Sequence, residues 1–386
     1  MHHVFFGQQF VVATQHASFC MIDMTTKSLP HHSWQLPDAS VAVDFRPLPR
    51  FRHRWSNVRW SNVRWSIASW AVWAFSLLIV HPAALAESPT RIDHDDTHTV
   101  LEDSTYVLST RHLASQCGCI DLQRPNLRVS QLDSCGRATG ADLEDCLSAP
   151  PGTLLVIYVH GNRMESCDLV GRALDVRRQV LARRYDRSTP VRWLVWSWPS
   201  EQQGILLDDA RLKARRADAQ SLYLAWFVRE LSARGHRPQF IAYSFGARVV
   251  TGSLHALAGG SIAGFGLPGE KYQGLDAAVG LVAPAIGEDW LCTNGQHGLA
   301  TTNLRHLTVL YNQRDAILKR YPLLDPGSEA LGYLGPRGFA PRLDGSRLPV
   351  EFRNCSHTVG RRHAEEDYYR GSCNAGRTMA KMLEAN

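Results

Sequence analysis

A serine set between small residues is the clearest chemical signal in this chain: Gln239-Phe240-Ile241-Ala242-Tyr243-Ser244-Phe245-Gly246-Ala247-Arg248-Val249-Val250. The stretch begins apolar and extended, breaks at Ser244, and continues with helical spacing. A strand that turns sharply at a serine and runs straight into a helix holds the hydroxyl clear of the sheet. Residues two before and two after the serine must then be small, or their side chains collide with the opposite arm of the turn. Here they are Ala242 and Gly246. A serine hydroxyl is a weak nucleophile near neutral pH and needs a base held by an orienting carboxylate. The chain order that goes with this turn is serine, acid, histidine.

Asp315 fits the acid. It follows the apolar run Leu307-Thr308-Val309-Leu310-Tyr311 by way of Asn312-Gln313-Arg314, which places it at the carboxyl end of a strand. Asp325, beside Pro326, reads as turn chemistry, and Asp289 follows a different strand. Two histidines, His357 and His363, come after the final strand Val350-Glu351-Phe352-Arg353. His363 is preferred because a base must reach back over the sheet edge, and it sits on the longer loop. His357 stays open as the alternative. A tetrahedral intermediate also needs two hydrogen-bond donors for its oxyanion. Phe245 N–H, directly after the serine, supplies one. Asn162 N–H, in the loop His160-Gly161-Asn162-Arg163, is the expected second, with Arg163 next in line; His160 reads as a brace for that loop.

These residues need a scaffold, and the hydrophobic pattern describes one. Continuous apolar runs at Thr153–Val159, Val191–Trp198, Gln239–Tyr243 and Ala277–Pro284 are what strands buried on both faces look like. Further strands are expected at Thr105–Thr110, Leu127–Leu132, Leu307–Tyr311 and Val350–Arg353. Helical spacing marks Asp168–Arg184, Leu206–Arg234 and Asn374–Glu384. Strands alternating with helices imply an α/β fold: a mostly parallel central sheet of about eight strands joined by right-handed crossovers. The loops Gly259–Gly274 and Leu323–Pro349 are candidate pocket walls.

The first 86 residues differ in composition. They carry 7 Lys/Arg and 3 Asp, so residues 87–386 hold only +2 of the total +6. The excess base is N-terminal, which argues against nucleic-acid binding. A tandem Arg-Trp-Ser repeat runs from Arg54 to Ser66, followed by apolar Ile67–Val80 and Ala84-Leu85-Ala86. Positive flank, short apolar run and small-x-small site describe a secretory signal peptide cleaved after Ala86. Its distance from Met1 suggests that translation starts inside the repeat, at Val58 or Val63. The organisation expected is an N-terminal extension over 1–62, mis-annotated or disordered, a signal peptide over 63–86, a linker over 87–104 and one domain over 105–386. Uncleaved, the signal segment would be the only membrane contact, and the mature chain would be periplasmic or secreted.

Eight cysteines remain beyond Ala86, an even number that suggests disulfides, with roughly a hundred connectivities. Oxidised cysteines stapling the loop Cys117–Cys146 are the favoured reading over metal binding there, since paired C-x-x-C knuckles are missing. Cys355 and Cys373 bracket the segment that holds both histidines. The cluster His94-Asp95-Asp96-Thr97-His98 reads as a solvated tail. No cofactor or metal is called for.

Taken together, Val159-His160-Gly161-Asn162, Ser197-Trp198-Pro199-Ser200, Ala242-Tyr243-Ser244-Phe245-Gly246-Ala247-Arg248-Val249, Ala283-Pro284 and Asn312-Gln313-Arg314-Asp315 resemble an uncharacterised bacterial esterase- or lipase-like family of the α/β-hydrolases. The resemblance covers roughly residues 105–370. It implies an α/β-hydrolase fold with Ser244, Asp315 and His363 as triad; joined to the signal-peptide pattern, the leading expectation is an exported serine hydrolase acting on a small-molecule ester or lipid. The alternative class is a hydrolase-fold binding protein without catalysis.

Overall fold

The computed structural model describes residues 102–385. The expected N-terminal extension, the expected signal peptide, most of the expected linker and the His94–His98 cluster lie outside the described residues.

Nine strands form the central sheet: β1 (Ser104–Ser109), β2 (Arg128–Leu132), β3 (Ala138–Ala141), β4 (Leu154–Val159), β5 (Val191–Ser197), β6 (Gln239–Tyr243), β7 (Ala277–Val282), β8 (Leu304–Tyr311) and β9 (Val350–Asn354). Their order across the sheet is β9-β8-β7-β6-β4-β5-β1-β2-β3. From β9 to β1 every neighbour is parallel, whereas β2 runs antiparallel to both β1 and β3. The apolar runs in the middle explain this arrangement. All five residues of β6, all six of β7 and all seven of β5 are buried, as parallel strands covered on both faces must be.

Four helices flank these strands: α1 (Ser166–Leu181), α2 (Leu206–Ala233), α3 (Phe245–Leu257) and α4 (Ala375–Glu384). The crossover β4–α1–β5 steps one way across the sheet, while β5–α2–β6 and β6–α3–β7 step the other way. Right-handed connections therefore put α1 on one face and α2 with α3 on the opposite face. Helix α4 joins α1, where Gly376 passes so close that an added Cβ would lie 2.4 Å from Gln179 O. On the other face α2 and α3 are locked by a buried bidentate pair: Arg248 Nε donates to Asp218 Oδ1 at 2.7 Å and Nη2 to Oδ2 at 2.9 Å. The same guanidinium lies 4.7 Å above the Trp290 ring. Trp193 and Trp196 of β5 are fully buried on opposite faces of the sheet, Trp193 stacked on Tyr158 and Trp196 against Phe227 of α2, and Trp198 is fully buried just past the strand.

The strand count exceeds the expected eight by β3. Its Ala-Thr-Gly-Ala sequence has almost no apolar character, and three of its four residues are exposed, so it exists only through pairing with β2. The expected linker also ends earlier than residue 104. Asp103 accepts Val191 N–H at 2.9 Å and pairs with Arg177, and Ser104 already belongs to β1.

The cysteines correct one expectation. Cys355 and Cys373 form a disulfide. Cys117, Cys119, Cys135 and Cys146 are free, so no disulfide staples the early loop. Cys146 faces the core from the short helix Leu143–Leu147, and burial pushes its thiol up to about 12, while Cys119 and Cys135 are exposed. Among the described residues no group of three or more His, Cys, Asp or Glu gathers for a metal, and no helix is long and apolar enough to cross a membrane.

The disulfide closes a loop of 18 residues. In the chain-entropy picture a ring of that size is worth about 3 kcal/mol. Reductant is expected to lower the midpoint of thermal unfolding by roughly 5–10 °C. A Cys355→Ser/Cys373→Ser variant should melt at the lower temperature with or without reductant, as followed by circular dichroism.

Candidate active site

Ser244 occupies the turn between β6 and α3 at φ 52° and ψ −120°, a backbone region that costs a residue with a side chain about 1–3 kcal/mol. The turn is held from both directions. Ser244 N–H donates to Val282 O at 3.0 Å, and Ser244 O accepts from Ala247 N–H and Ala285 N–H. Gly246 explains the small-residue requirement: a Cβ there would lie 2.2 Å from Val159 O. Only glycine lets the first turn of α3 press onto the end of β4. Ala242, the other small position, is fully buried.

His363 joins this serine to Asp315. Ser244 Oγ–H donates to His363 Nε2 at 2.9 Å, and His363 Nδ1–H donates to Asp315 Oδ2 at 2.7 Å. Asp315 has no exposed surface, and its Oδ1 accepts from Ile317 N–H at 2.9 Å and Leu318 N–H at 3.0 Å. Both carboxylate oxygens are thus committed, one to the imidazole and one to the chain just beyond β8. Asn312 ties the two loops together: its Nδ2 donates to Gly360 O at 2.8 Å, while Ala316 N–H donates to Arg361 O at 3.1 Å. His357 stands exposed on the short helix Ser356–Val359 and bonds to neither Ser244 nor Asp315. The longer loop is the one that reaches. Asp325 instead accepts from Trp290 Nε1, and Asp289 accepts from Ser328 Oγ, away from the serine.

The loop after β4 lies directly against the serine. A Cβ on Gly161 would meet the Tyr243 ring at 2.7 Å and Ser244 Cβ at 3.0 Å. Arg163, at φ 57°, gives its N–H to Ser200 O at 2.7 Å, which removes it as a free donor. Asn162 N–H has no backbone acceptor among the described residues, and Phe245 N–H opens α3 with none either. Helix N-termini leave such groups unpaired and partly positive. His160 is a brace. Its Nε2 accepts Trp198 N–H at 3.2 Å, its Nδ1–H donates to Gly161 O at 2.8 Å, and its ring stacks on Trp198 at 5.5 Å. Burial pushes this imidazole down to about 3, so it stays neutral.

Three further contacts bring in residues that the sequence did not mark as part of the site. The Tyr243 ring stacks on His363 at 5.2 Å and backs the imidazole. Fully buried Lys213 bonds Asp209 Oδ1 at 2.9 Å, and Asp209 also accepts from Gln203 N–H and Arg163 Nε beside the Asn162 loop. Burial alone would raise this carboxyl, but the lysine and the Gln203 N–H hold it below the ordinary carboxylate range. The third is Glu365, two residues past His363 and buried. Tyr158 O–H donates to its Oε2 at 2.8 Å, and Oε1 has no partner among the described residues. Desolvation pushes this acid up to about 7 against the pull of Tyr158 and Arg172.

The expected pocket walls fare unequally. Gly259–Gly274 follows the C-terminal end of α3, about 20 Å of helix away from Ser244, and leads into the start of β7, so it does not wall the site. Within Leu323–Pro349, only the part through Leu334 borders the carboxyl ends of the strands, where Gly332 N–H donates to Pro284 O and Asn312 N–H to Gly332 O. Beyond it the chain descends to the opposite edge, with Arg342 Nε bonded to Leu304 O at 3.1 Å. A cavity of ≈ 880 Å³ lined by Phe339, Leu348 and Phe352 lies along β9 and not at the serine.

Glu365 yields a pH prediction. Its folded-state pKa lies above the ordinary 4.5, so the domain is most stable below pH 4.5 with respect to this group and loses stability as pH rises toward 7. Glu365→Gln keeps an acceptor for Tyr158 and removes the buried charge. Relative to the unaltered chain, the variant should gain about 3 kcal/mol between pH 4.5 and 7 and no more above, measured by urea unfolding at each pH. Comparison with protein-family models, curated proteins and solved structures finds no significant match to this chain.

Proposed function

We propose that the chain is a serine hydrolase of the α/β-hydrolase fold that cleaves carboxylic esters through an acyl-enzyme. The observation that carries this reading is the unbroken hydrogen-bond line Ser244–His363–Asp315, ending on a serine held at positive φ. Chain order, with the serine after β6, the acid after β8 and the base after β9, supports it. In the proposed reaction Ser244 Oγ attacks the ester carbonyl carbon as its proton passes to His363 Nε2. Asp315 fixes the Nδ1–H tautomer and stabilises the imidazolium. Phe245 N–H and Asn162 N–H receive the charge that develops on the carbonyl oxygen. Collapse breaks the C–O bond, and His363 returns the proton to the departing alcohol. Water then attacks the acyl-enzyme by the same route, freeing the carboxylic acid and Ser244.

We place the enzyme outside the cytoplasm in the same reading. The Cys355–Cys373 disulfide is of the kind that persists in oxidising compartments, and the signal-peptide pattern of residues 63–86 points the same way.

A fluorophosphonate probe should label the unaltered protein and not Ser244→Ala. Hydrolysis of nitrophenyl esters of rising chain length should fall by about 10³–10⁶ in Ser244→Ala and His363→Ala, with thermal midpoints checked alongside. His357→Ala should retain activity. A folded protein that neither labels nor turns over any ester is a binding module and refutes the enzymatic reading.

A further inference from the structure

A second concavity, of ≈ 640 Å³, is lined mainly by residues of the two loops that carry Asp315 and His363. Arg314, Lys319, Arg320 and Arg361 line it together with Gln313 and Tyr333, and no acidic residue does. Arg314, Lys319 and Arg320 come from the segment after β8, and Arg361 comes from the segment after β9. The two arms are not free to drift apart, because Ala316 N–H donates to Arg361 O at 3.1 Å and Gln313 N–H to Ser356 Oγ at 2.8 Å.

None of the four cations forms an ion pair with a carboxylate among the described residues. Neighbouring residues show the contrast. Arg362 turns the other way and pairs with Asp367 at 3.1 Å and Glu366 at 3.5 Å. Arg361, one position earlier, faces the cavity unpaired. Gathering four like charges in one concavity is unfavourable unless something negative enters, and this in a stretch, residues 87–386, of net charge only +2. Three of the four are arginines, whose planar forks match the oxygens of a phosphate in pairs. A lone carboxylate would leave most of this charge uncompensated, whereas a phosphate ester brings one or two charges and oxygens in several directions.

We infer that this cavity is a binding site for the phosphate group of a phosphate ester, cradled between the acid-bearing and base-bearing loops. The inference goes beyond the proposed hydrolysis and does not need it. The group can arrive on a soluble phosphate ester or on a lipid headgroup, and the chemistry of recognition is the same.

The test uses the full purified chain carrying Ser244→Ala, so that no turnover enters the readout. Titration calorimetry at low salt measures binding of inorganic phosphate and glycerol 3-phosphate, and sedimentation measures binding to phosphatidylglycerol vesicles against phosphatidylcholine vesicles. The same measurements follow on Arg314→Gln/Arg361→Gln and on the control Arg178→Gln, whose side chain is exposed on α1. Both altered positions in the double variant are exposed, and circular dichroism checks that it folds. Binding of any phosphate probe that weakens about tenfold or more in the double variant, falls with added salt, and is unchanged in Arg178→Gln supports the site. Soluble probes that bind identify a free ester; binding to anionic vesicles alone identifies a headgroup. Failure of every probe to bind, or equal binding by the double variant, overturns the inference. Loss of ester hydrolysis is a separate readout and leaves this one intact.

Discussion

The approach of α3 to the end of β4 sets the terms for the rest of the site. With Gly246 nearly touching Val159 O, the helix can begin immediately after β6, and Ser244 has no room for a relaxed conformation. The strain is local, and a large, rigid environment holds it. All thirteen residues of α3 are buried, and the Arg248–Asp218 pair keeps the helix against α2. A buried ion pair contributes little net stability when its alternative is good apolar packing. Its use here is orientation, because a small rotation of α3 would move the hydroxyl away from the imidazole.

Two kinds of support converge on the serine. Ser244 and the loop after β4 are held by the sheet and by close packing, with His160, Trp198 and the Lys213–Asp209 pair as struts. Asp315 and His363 belong to connections between elements, and they are held by hydrogen bonds instead: Asn312 to Gly360, Ala316 to Arg361, and Asp315 to two backbone N–H groups. Tyr243 bridges the two systems, since it ends β6 and stacks on His363. In the proposed reaction this division would suit each group: the attacking hydroxyl needs a fixed position, and the imidazole needs a fixed plane with freedom to exchange protons.

Much of this was legible in the chain itself, for a physical reason. Strands buried on both faces must be apolar throughout, so β4, β5, β6 and β7 stand out as runs. The turn at Ser244 demands small neighbours, which leaves a local mark at Ala242 and Gly246. The choice between two histidines rested on reach and on the resemblance, and the structure brings His363 to the serine. What was not legible depends on partners far along the chain. β3 is exposed and held by pairing alone. Lys213 and Asp209 have the i, i+4 spacing of an ordinary surface pair, yet they are buried because the Asn162 loop folds over them. The even cysteine count suggested disulfides, but six thiols stay free among the described residues, since parity says nothing about which sulfurs the fold brings together.

The Cys355–Cys373 bond has one more consequence. His363 sits inside the ring that it closes, between β9 and α4. The segment's ends are therefore covalently joined, and the imidazole can sample only the volume that a short loop sweeps. That raises its effective concentration at the hydroxyl, in the way a tether makes an intermolecular encounter intramolecular. Opening the ring takes away none of the atoms that form the Ser244–His363–Asp315 hydrogen bonds, while diluting the imidazole that makes them.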